Sequence, residues 1–178
     1  IAMDPDAGIG LAHRRLSIID LSPRGHQPMT DVTGVLTIVY NGEIYNYREL
    51  RRELVKNGFE FRSACDNEVL LNLYLRDGDK MMERLNGIYA FAIHDHRDDS
   101  LFVVRDGIGV KPLYYAECAK GFLFASEMKA LLQESSIPRE LDHESIRHHL
   151  VYLWTPSPLT IARRGRSSSS NSERGATF

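Results

Sequence analysis

Three polar segments lie between apolar stretches of the sequence, and their residue types could bind a small charged ligand. The first covers residues 13–20 (HRRLSIID), a predicted strand in which Arg15 is followed by apolar residues such as Leu16 and Ile18. An arginine inside such a strand must reach solvent or pair with an anion, because an unpaired buried charge is costly. Its planar guanidinium suits a carboxylate. Taken alone, the segment favours the simpler interpretation, a solvated arginine on an exposed strand face.

The second polar segment, residues 40–46 (YNGEIYN), follows a β-rich run and precedes a predicted helix. The backbone N–H of Gly42 and the side-chain amide of Asn41 are two donors that could converge on one point and stabilise an oxyanion. Asn-Gly is also the commonest pair of residues in tight turns. From this segment alone, a turn that ends the strand is the favoured interpretation.

The third polar segment, residues 63–69 (SACDNEV), opens a predicted helix. Asp66 suits the N-cap of that helix, although its carboxylate could instead hold an ammonium group. Farther along the chain, His94 and His96 are of a residue type that binds metals, but they fall in a predicted polar turn without a spaced third ligand. We therefore expect no metal site in this chain.

The elements that must position these segments alternate in type along the chain. Strands are predicted at residues 35–40, 88–93, 101–104, 113–116 and 122–125, and helices at 46–57, 67–76, 80–85, 128–132 and 142–152. Asn46 and Asp142 are the predicted N-caps, and Glu49 completes a capping-box pattern with Asn46. Strands grouped among helical pairs predict sheets that pack together with helices outside them.

Composition excludes several classes of protein. The chain has 178 residues, 43% hydrophobic and 26% charged, with a formal net charge of -2. These values are typical of a globular domain and favour neither nucleic acid nor a membrane as partner. Two cysteines, Cys65 and Cys118, do not make a disulfide framework, which indicates a reducing, cytoplasmic setting. Residues 162–178 (ARRGRSSSSNSERGATF) are predicted to form a disordered tail.

The order of six segments is more specific than any segment alone. The chain contains, in this order, LAHRRLSIIDLSPRGHQPM, YNGEIYNYRELRRELVKNGFEF, CDNEVLL, LNGIYAFAIHD, VRDGIGVKPLYY and FASEMKALL. Together they resemble the N-terminal glutaminase domain of the glutamine-hydrolysing asparagine synthetases, which are class II amidotransferases. The resemblance covers about residues 9–161 and implies an α+β fold, the four-layer αββα sandwich of the N-terminal nucleophile type, here lacking its first strand. Residues 1–161 are then a type 2 glutamine amidotransferase domain, N-terminally truncated, that ends in the start of a linker to a synthetase domain.

The resemblance implies a role for six residues. Four of them contact glutamine: Arg15 pairs with the α-carboxylate, Asp66 with the α-amino group, and Glu43 and the Ile19 backbone line the same pocket. The side chain of Asn41 and the backbone N–H of Gly42 form the oxyanion hole. The resemblance also assigns structural roles to Arg105 and Asp106, which we expect to form an ion pair.

The same resemblance implies the function of a longer parent protein. Its glutaminase domain hydrolyses glutamine to glutamate and ammonia, and its synthetase domain uses the ammonia for ATP-dependent amidation of aspartate. The expected partners are glutamine, that synthetase domain and a second copy in a homodimer. ATP and Mg²⁺ belong to the synthetase domain, and no cofactor is expected in this one.

The sequence departs from the family pattern at its start. Residue 1 is Ile where the family has its nucleophilic cysteine, so we expect the chain as written to be inactive alone. Two alternatives stay open. One is the front domain of another class II amidotransferase with a different acceptor, and the other is a non-catalytic glutamine-binding protein.

Overall fold

The computed structural model describes residues 1–14 and 25–153. These residues form two compact units, one comprising Ile1–Lys111 and the other beginning at Pro112. Arg15, Ile19 and the tail predicted at residues 162–178 lie outside the described residues. What was predicted for them therefore stays a prediction.

The first unit is built on a four-stranded antiparallel sheet. Its strands, in spatial order, are β3 (Met29–Thr30), β4 (Leu36–Ile44), β5 (Gly87–Asp95) and β6 (Ser100–Arg105). A short hairpin of β1 (Ala2–Asp4) and β2 (Ile9–Leu11) precedes the sheet. Between β4 and β5 the chain forms two helices and a 3-10 helix, namely α1 (Tyr47–Lys56), α2 (Asp66–Asp77) and Gly78–Arg84.

The main core lies between one face of this sheet and the helices. Alternate residues of β4, including Leu36, Ile38 and Ile44, point to the helices because successive strand side chains face opposite ways. On the helix side, Leu54 and Leu70 are fully buried in the same cluster. The other sheet face carries the odd-numbered positions of β4, which include the polar residues that the sequence singled out.

Strand β4 is longer than predicted. It continues through the Asn-Gly pair to Ile44, with Asn41 opposite Ala90 and Gly42 opposite Tyr89 of β5. The favoured interpretation of Asn41-Gly42 as a turn is therefore wrong. Pairing with β5 outweighs the local turn preference of Asn-Gly, because it satisfies the backbone groups of this segment within a ladder.

The side chain of Asn46 does not cap α1. Asn46 does occupy the N-cap position, but it makes no side-chain cap hydrogen bond. Its Nδ2 instead donates to the Arg84 carbonyl oxygen over 2.9 Å, and its Oδ1 accepts from the Asn86 N–H over 3.1 Å. The predicted capping box is therefore wrong, because Asn46 ties the start of α1 to the segment that leads into β5.

Asp106 organises the loop after β6, but not through the expected ion pair. Its two carboxylate oxygens accept from the backbone N–H groups of Val110 (2.8 Å), Lys111 (2.9 Å) and Tyr89 (3.3 Å). Arg105 donates instead to the carbonyl oxygens of Lys111 and Gly109, over 2.7 and 2.6 Å. Burial by itself raises the pKa of Asp106, but the backbone N–H donors outweigh it and lower the pKa below its usual value.

We expect Asp106→Asn to remove about 1–2 kcal/mol of stability at neutral pH, because an amide is a weaker acceptor and presents one donor to a backbone N–H. A carboxyl with a lowered folded-state pKa stabilises the fold above its unfolded-state pKa, and that contribution disappears as pH falls through the folded-state pKa. The difference between variant and wild type should therefore shrink below about pH 4. Urea denaturation at several pH values measures it, and a difference that stays constant in acid would contradict this account.

The second unit begins with a hairpin of β7 (Tyr114–Cys118) and β8 (Gly121–Ala125), followed by α3 (Met128–Leu131) and α4 (His143–Tyr152). Asp142 caps α4 as predicted, since its carboxylate accepts from the Ser145 N–H over 3.0 Å. In the part of the chain that the structure describes, no helix is both long and apolar enough to cross a membrane.

Candidate functional site

Asn41, Gly42 and Glu43 occupy consecutive positions near the end of β4. Asn41 and Glu43 are exposed on the sheet face opposite the helices. Gly42 is required between them, because a Cβ there would lie 2.2 Å from the Ile88 carbonyl oxygen and 2.7 Å from the Tyr89 Cα. The close approach of β4 and β5 holds the backbone of this segment, from which the exposed Asn41 side chain projects, in one geometry.

Asp66 lies beside the same end of β4, although the two segments are far apart in sequence. It is the first residue of α2, and its Oδ2 accepts from the Tyr40 hydroxyl over 2.6 Å and from the Ile44 N–H over 3.3 Å. Cys65, not Asp66, occupies the N-cap, so the capping role favoured for Asp66 is wrong. Burial first, and then the neighbouring Asp66 carboxylate, raise the pKa of Tyr40, so its hydroxyl stays a donor.

One oxygen of Asp66 thus bonds to β4, while the other oxygen is available to accept a hydrogen bond from a ligand. Asp66 is 5% exposed, and among the described residues no hydrogen bond is made to its Oδ1. The helix dipole at the start of α2 favours a negative charge there. A carboxylate anchored through one oxygen can present the other to a ligand's ammonium group in a defined direction.

Glu68 is a positioning residue that sequence reasoning missed. Its carboxylate accepts from the backbone N–H groups of Arg62 (2.7 Å) and Ser63 (2.8 Å) and from the Ser63 hydroxyl (2.7 Å). It therefore fixes the loop that leads into Asp66. A signal was present in the sequence, since Glu68 stands three residues after the N-cap Cys65, where a capping box has its acid.

Gln27 is a second missed residue. Its side-chain amide pairs with both backbone groups of Tyr40, accepting from the N–H over 2.6 Å and donating to the carbonyl oxygen over 3.0 Å. Gln27 is buried and lies just before the two-residue strand β3 in the sequence. Its side chain therefore extends along β4 the pairing that β3 makes with that strand. No local pattern reveals such a role, because it depends on where residues 13 positions apart meet.

The structure places four of the six predicted site residues near one end of β4: Asn41, Gly42 and Glu43 within the strand, and Asp66 bonded to its end. The Asn41 and Glu43 side chains lie on the sheet face opposite the helices, whereas Asp66 contacts Tyr40 from the helix side. Arg15 and Ile19, the remaining two, lie outside the described residues. The grouped residues provide hydrogen-bond donors and carboxylates, a set suited to a small zwitterion with a polar group. Their individual roles toward a ligand stay predictions.

The sequence matches the family described as "Glutamine amidotransferase domain" over residues 3–168. It is 41% identical over 136 residues to asparagine synthetase (glutamine-hydrolyzing) 3 of Bacillus subtilis (strain 168). The aligned region covers 75% of this chain and 22% of that protein. Asparagine synthetase (glutamine-hydrolyzing) 1 of the same organism is 38% identical over 156 residues, covering 88% and 24%. The chain therefore spans about a quarter of the length of these curated relatives, or less.

Solved structures support the fold assignment. The chain is similar to glutamine phosphoribosylpyrophosphate (PRPP) amidotransferase from B. subtilis, complexed with ADP and GMP, with a TM-score of 0.57 and 26% identity over 67% of this chain and 28% of that one. A second structure, described as the allosteric regulatory enzyme of purine biosynthesis, gives a TM-score of 0.54 and 27% identity, over 61% and 25% of the two chains. The predicted α+β sandwich of the N-terminal nucleophile type and the resemblance to amidotransferases are confirmed. The chain belongs to the glutamine amidotransferase domain family.

Proposed function

We propose that this chain is the glutaminase domain of a glutamine-dependent asparagine synthetase. One observation carries the proposal: Asp66 is anchored through one oxygen beside the Asn41–Gly42 segment and keeps its other oxygen available. The similarity to two asparagine synthetases of B. subtilis supports the choice of parent protein.

Binding would work by gripping the two charged ends of glutamine. Asp66 accepts the α-ammonium group and Arg15 pairs with the α-carboxylate, each through charge-assisted hydrogen bonds worth about 1.5–3 kcal/mol. Glu43, exposed on the strand beside Asn41, adds a second carboxylate near the bound zwitterion. The Ile19 backbone lines the same pocket. With both ends held, the side-chain amide is directed toward the residues that act on it.

Amide cleavage places a negative charge on the former carbonyl oxygen in the tetrahedral intermediate. The Asn41 side chain and the Gly42 N–H are the donors for this oxyanion, and their value depends on being held in place before the reaction. Gly42 provides this rigidity, since it lets β4 approach β5 too closely for any side chain at position 42. Removal of one such donor typically lowers the rate about 10²–10³-fold.

Amidation of aspartate, with ATP and Mg²⁺, is proposed for a synthetase region of the parent protein. The N-termini of the long helices described here do not favour the phosphates of a nucleoside triphosphate. Each of the three long helices carries an acidic residue in its first turn, where a phosphate would need positive charge: Glu49, Asp66 and Glu144. A synthetase-domain partner, a homodimer and a cytoplasmic location complete the proposal.

The acceptor of the ammonia is the finer part of the proposal. Both solved structures mentioned above share this fold at a lower identity, and one is named a PRPP amidotransferase, which favours a second candidate with a different acceptor. The curated relatives, at 38–41% identity, favour asparagine synthetase.

Glutamine binding to the 178-residue chain tests the proposal directly. We expect millimolar glutamine to raise the melting temperature, because a ligand that binds only the folded state stabilises it. Glutaramate, which lacks the α-amino group, should raise it less. In Asp66→Asn the difference between the two ligands should become much smaller, because the ammonium group has lost its main carboxylate partner.

Two outcomes would count against this function. If neither ligand shifts the melting temperature of the wild type, the pocket assignment fails. If Asp66→Asn prefers glutamine over glutaramate as strongly as the wild type does, Asp66 is not the ammonium partner. Asp31→Asn is the matched control, because Asp31 is equally buried but serves a turn that contacts Leu36.

A further inference from the structure

Two histidines and an aspartate converge on the sheet face that is turned away from the helices. His94 lies near the end of β5 opposite Thr37 of β4, and His96 follows directly after that strand. Asp4 is the last residue of β1 and reaches them from the β1–β2 hairpin. One potential ligand atom from each of the three residues lies within 4.8 Å of the others. Chain distance hides this grouping, because Asp4 and His96 are 92 positions apart.

His94 is difficult to explain as a packing residue. It is 2% exposed, and among the described residues its Nε2 has no hydrogen-bond partner. The Asp99 Oδ1 is 3.8 Å from this nitrogen, beyond hydrogen-bond distance. An unpaired polar atom in a buried position is unfavourable by about 1–3 kcal/mol, so buried imidazoles normally have a partner. The His94 and His96 rings are also close, with centroids 4.0 Å apart.

His96 and Asp4 are oriented as metal ligands usually are. His96 Nδ1 is 3.2 Å from Asp4 Oδ2, while its Nε2 is 3.0 Å from the Thr37 hydroxyl. A ligating histidine normally donates from its second nitrogen to an oxygen atom, which sets the tautomer and the ring orientation. The Thr37 hydroxyl oxygen can fill that role here. The other oxygen of Asp4 accepts from the Ala7 N–H over 3.1 Å, so Oδ2 is the one directed at His96.

We propose that Asp4, His94 and His96 bind a divalent transition-metal ion that prefers imidazole, with Zn²⁺ as the representative ion. Three protein ligands of N and O type, with water in the fourth position, form a common zinc arrangement. Bonds of about 2.1 Å in a tetrahedron place donor atoms roughly 3.4 Å apart. The Asp4–His96 pair already has about this spacing, with 3.2 Å between Oδ2 and Nδ1. A donor atom of His94 lies within 4.8 Å of one on each of these two residues, so a bound ion would draw the three side chains closer together.

The space between these residues and the position of the β1–β2 hairpin are both compatible with a bound metal ion. A small cavity of about 70 Å³ is bounded by the three ligands together with Thr37 and the β1–β2 hairpin. A bound ion would join that hairpin to the end of β5 and reinforce the His96–Asp4 ion pair. Among the described residues this is the only group of three His, Cys, Asp or Glu side chains with metal-ligand spacing. These three residues are different from those proposed to bind glutamine. A negative result for metal binding would therefore leave the proposed function unaffected.

Calorimetric titration of the 178-residue chain with Zn²⁺, in a non-chelating reductant, tests the proposal. We expect one site with micromolar or tighter affinity. His96→Asn and Asp4→Asn should each weaken it at least tenfold; both side chains are partly exposed, so both variants should fold. The double variant His148→Asn with His149→Asn, which removes the adjacent histidine pair of α4, should bind as the wild type does.

Two further measurements keep the test decisive. Zn²⁺ should raise the melting temperature of the wild type but not that of Asp4→Asn. Bound Co²⁺ should give the visible bands of a tetrahedral nitrogen and oxygen site. Thiolate-to-cobalt absorption would instead assign the ion to Cys65 or Cys118 and overturn the proposal. Unchanged Zn²⁺ affinity in His96→Asn, or no binding by the wild type, would overturn it as well.

Discussion

Gly42→Ala should lower the free energy of unfolding by at least about 3 kcal/mol, the upper range for an overpacked site. The added Cβ would lie 2.2 Å from the Ile88 carbonyl oxygen and 2.7 Å from the Tyr89 Cα, both backbone atoms that cannot rotate away. Relief requires β4 and β5 to separate at the centre of the four-stranded sheet. Urea denaturation of wild type and variant measures the change. Any folded variant should also have lost glutamine binding, because Asn41 would be displaced.

Two other glycines give the matched comparisons. Gly87→Ala should be similarly harmful, since its Cβ would lie 2.2 Å from the Glu43 carbonyl oxygen in the same pair of strands. Gly107→Ala should change stability little, because no heavy atom lies within 4 Å of the Cβ it would add. A Gly42→Ala protein as stable as Gly107→Ala would mean that the two strands are not as close as described.

Asp66→Ala should lower the free energy of unfolding by about 2–4 kcal/mol, because it leaves two buried donors without an acceptor. These donors are the Tyr40 hydroxyl and the Ile44 N–H, and both are bonded to the same oxygen of Asp66. Asp66→Asn should lower the free energy of unfolding much less, since the carbonyl oxygen of Asn can accept the two hydrogen bonds that Asp66 Oδ2 accepts. The pair of variants therefore separates stability from function: Asn should keep the fold and still lose recognition of the ligand's ammonium group.

A double-mutant cycle with Tyr40→Phe checks the structural half of this prediction. The Tyr40 hydroxyl donates to Asp66 over 2.6 Å. Tyr40→Phe and Asp66→Ala together should therefore destabilise the protein by less than the sum of their separate effects. Additive effects would show that the hydroxyl does not depend on Asp66. Chemical denaturation of the four proteins gives the coupling free energy.

Local patterns were sufficient wherever neighbours along the chain decide the structure. The helix α2 ends at Asp77, before a Gly78 with φ of 60°, within one residue of its predicted end at residue 76. Asp142 caps α4 because its target, the Ser145 N–H, is three residues away. The apolar run 88–93 became the buried strand β5 for a similar reason, since continuous hydrophobicity requires cover on both faces.

Local patterns failed where a distant segment competes for the same group. Asn41-Gly42 has a turn preference, yet β5 pairs with it. Asn46 has a capping preference, yet its side chain bonds to Arg84 and Asn86. In both cases long-range hydrogen bonds took the place of the locally preferred structure, and no propensity contains that information.

By itself, the sequence determined the family, the α+β class and the identity of the residues available for a glutamine site. These follow from residue types and their order, which need no coordinates. Only the tertiary structure decided that Asp66 is bonded to the end of β4 and that Asp4 meets His94 and His96. Such contacts depend on how strands and helices pack, because hydrogen bonds and packing interactions form between atoms that are close in space, whatever their separation along the chain.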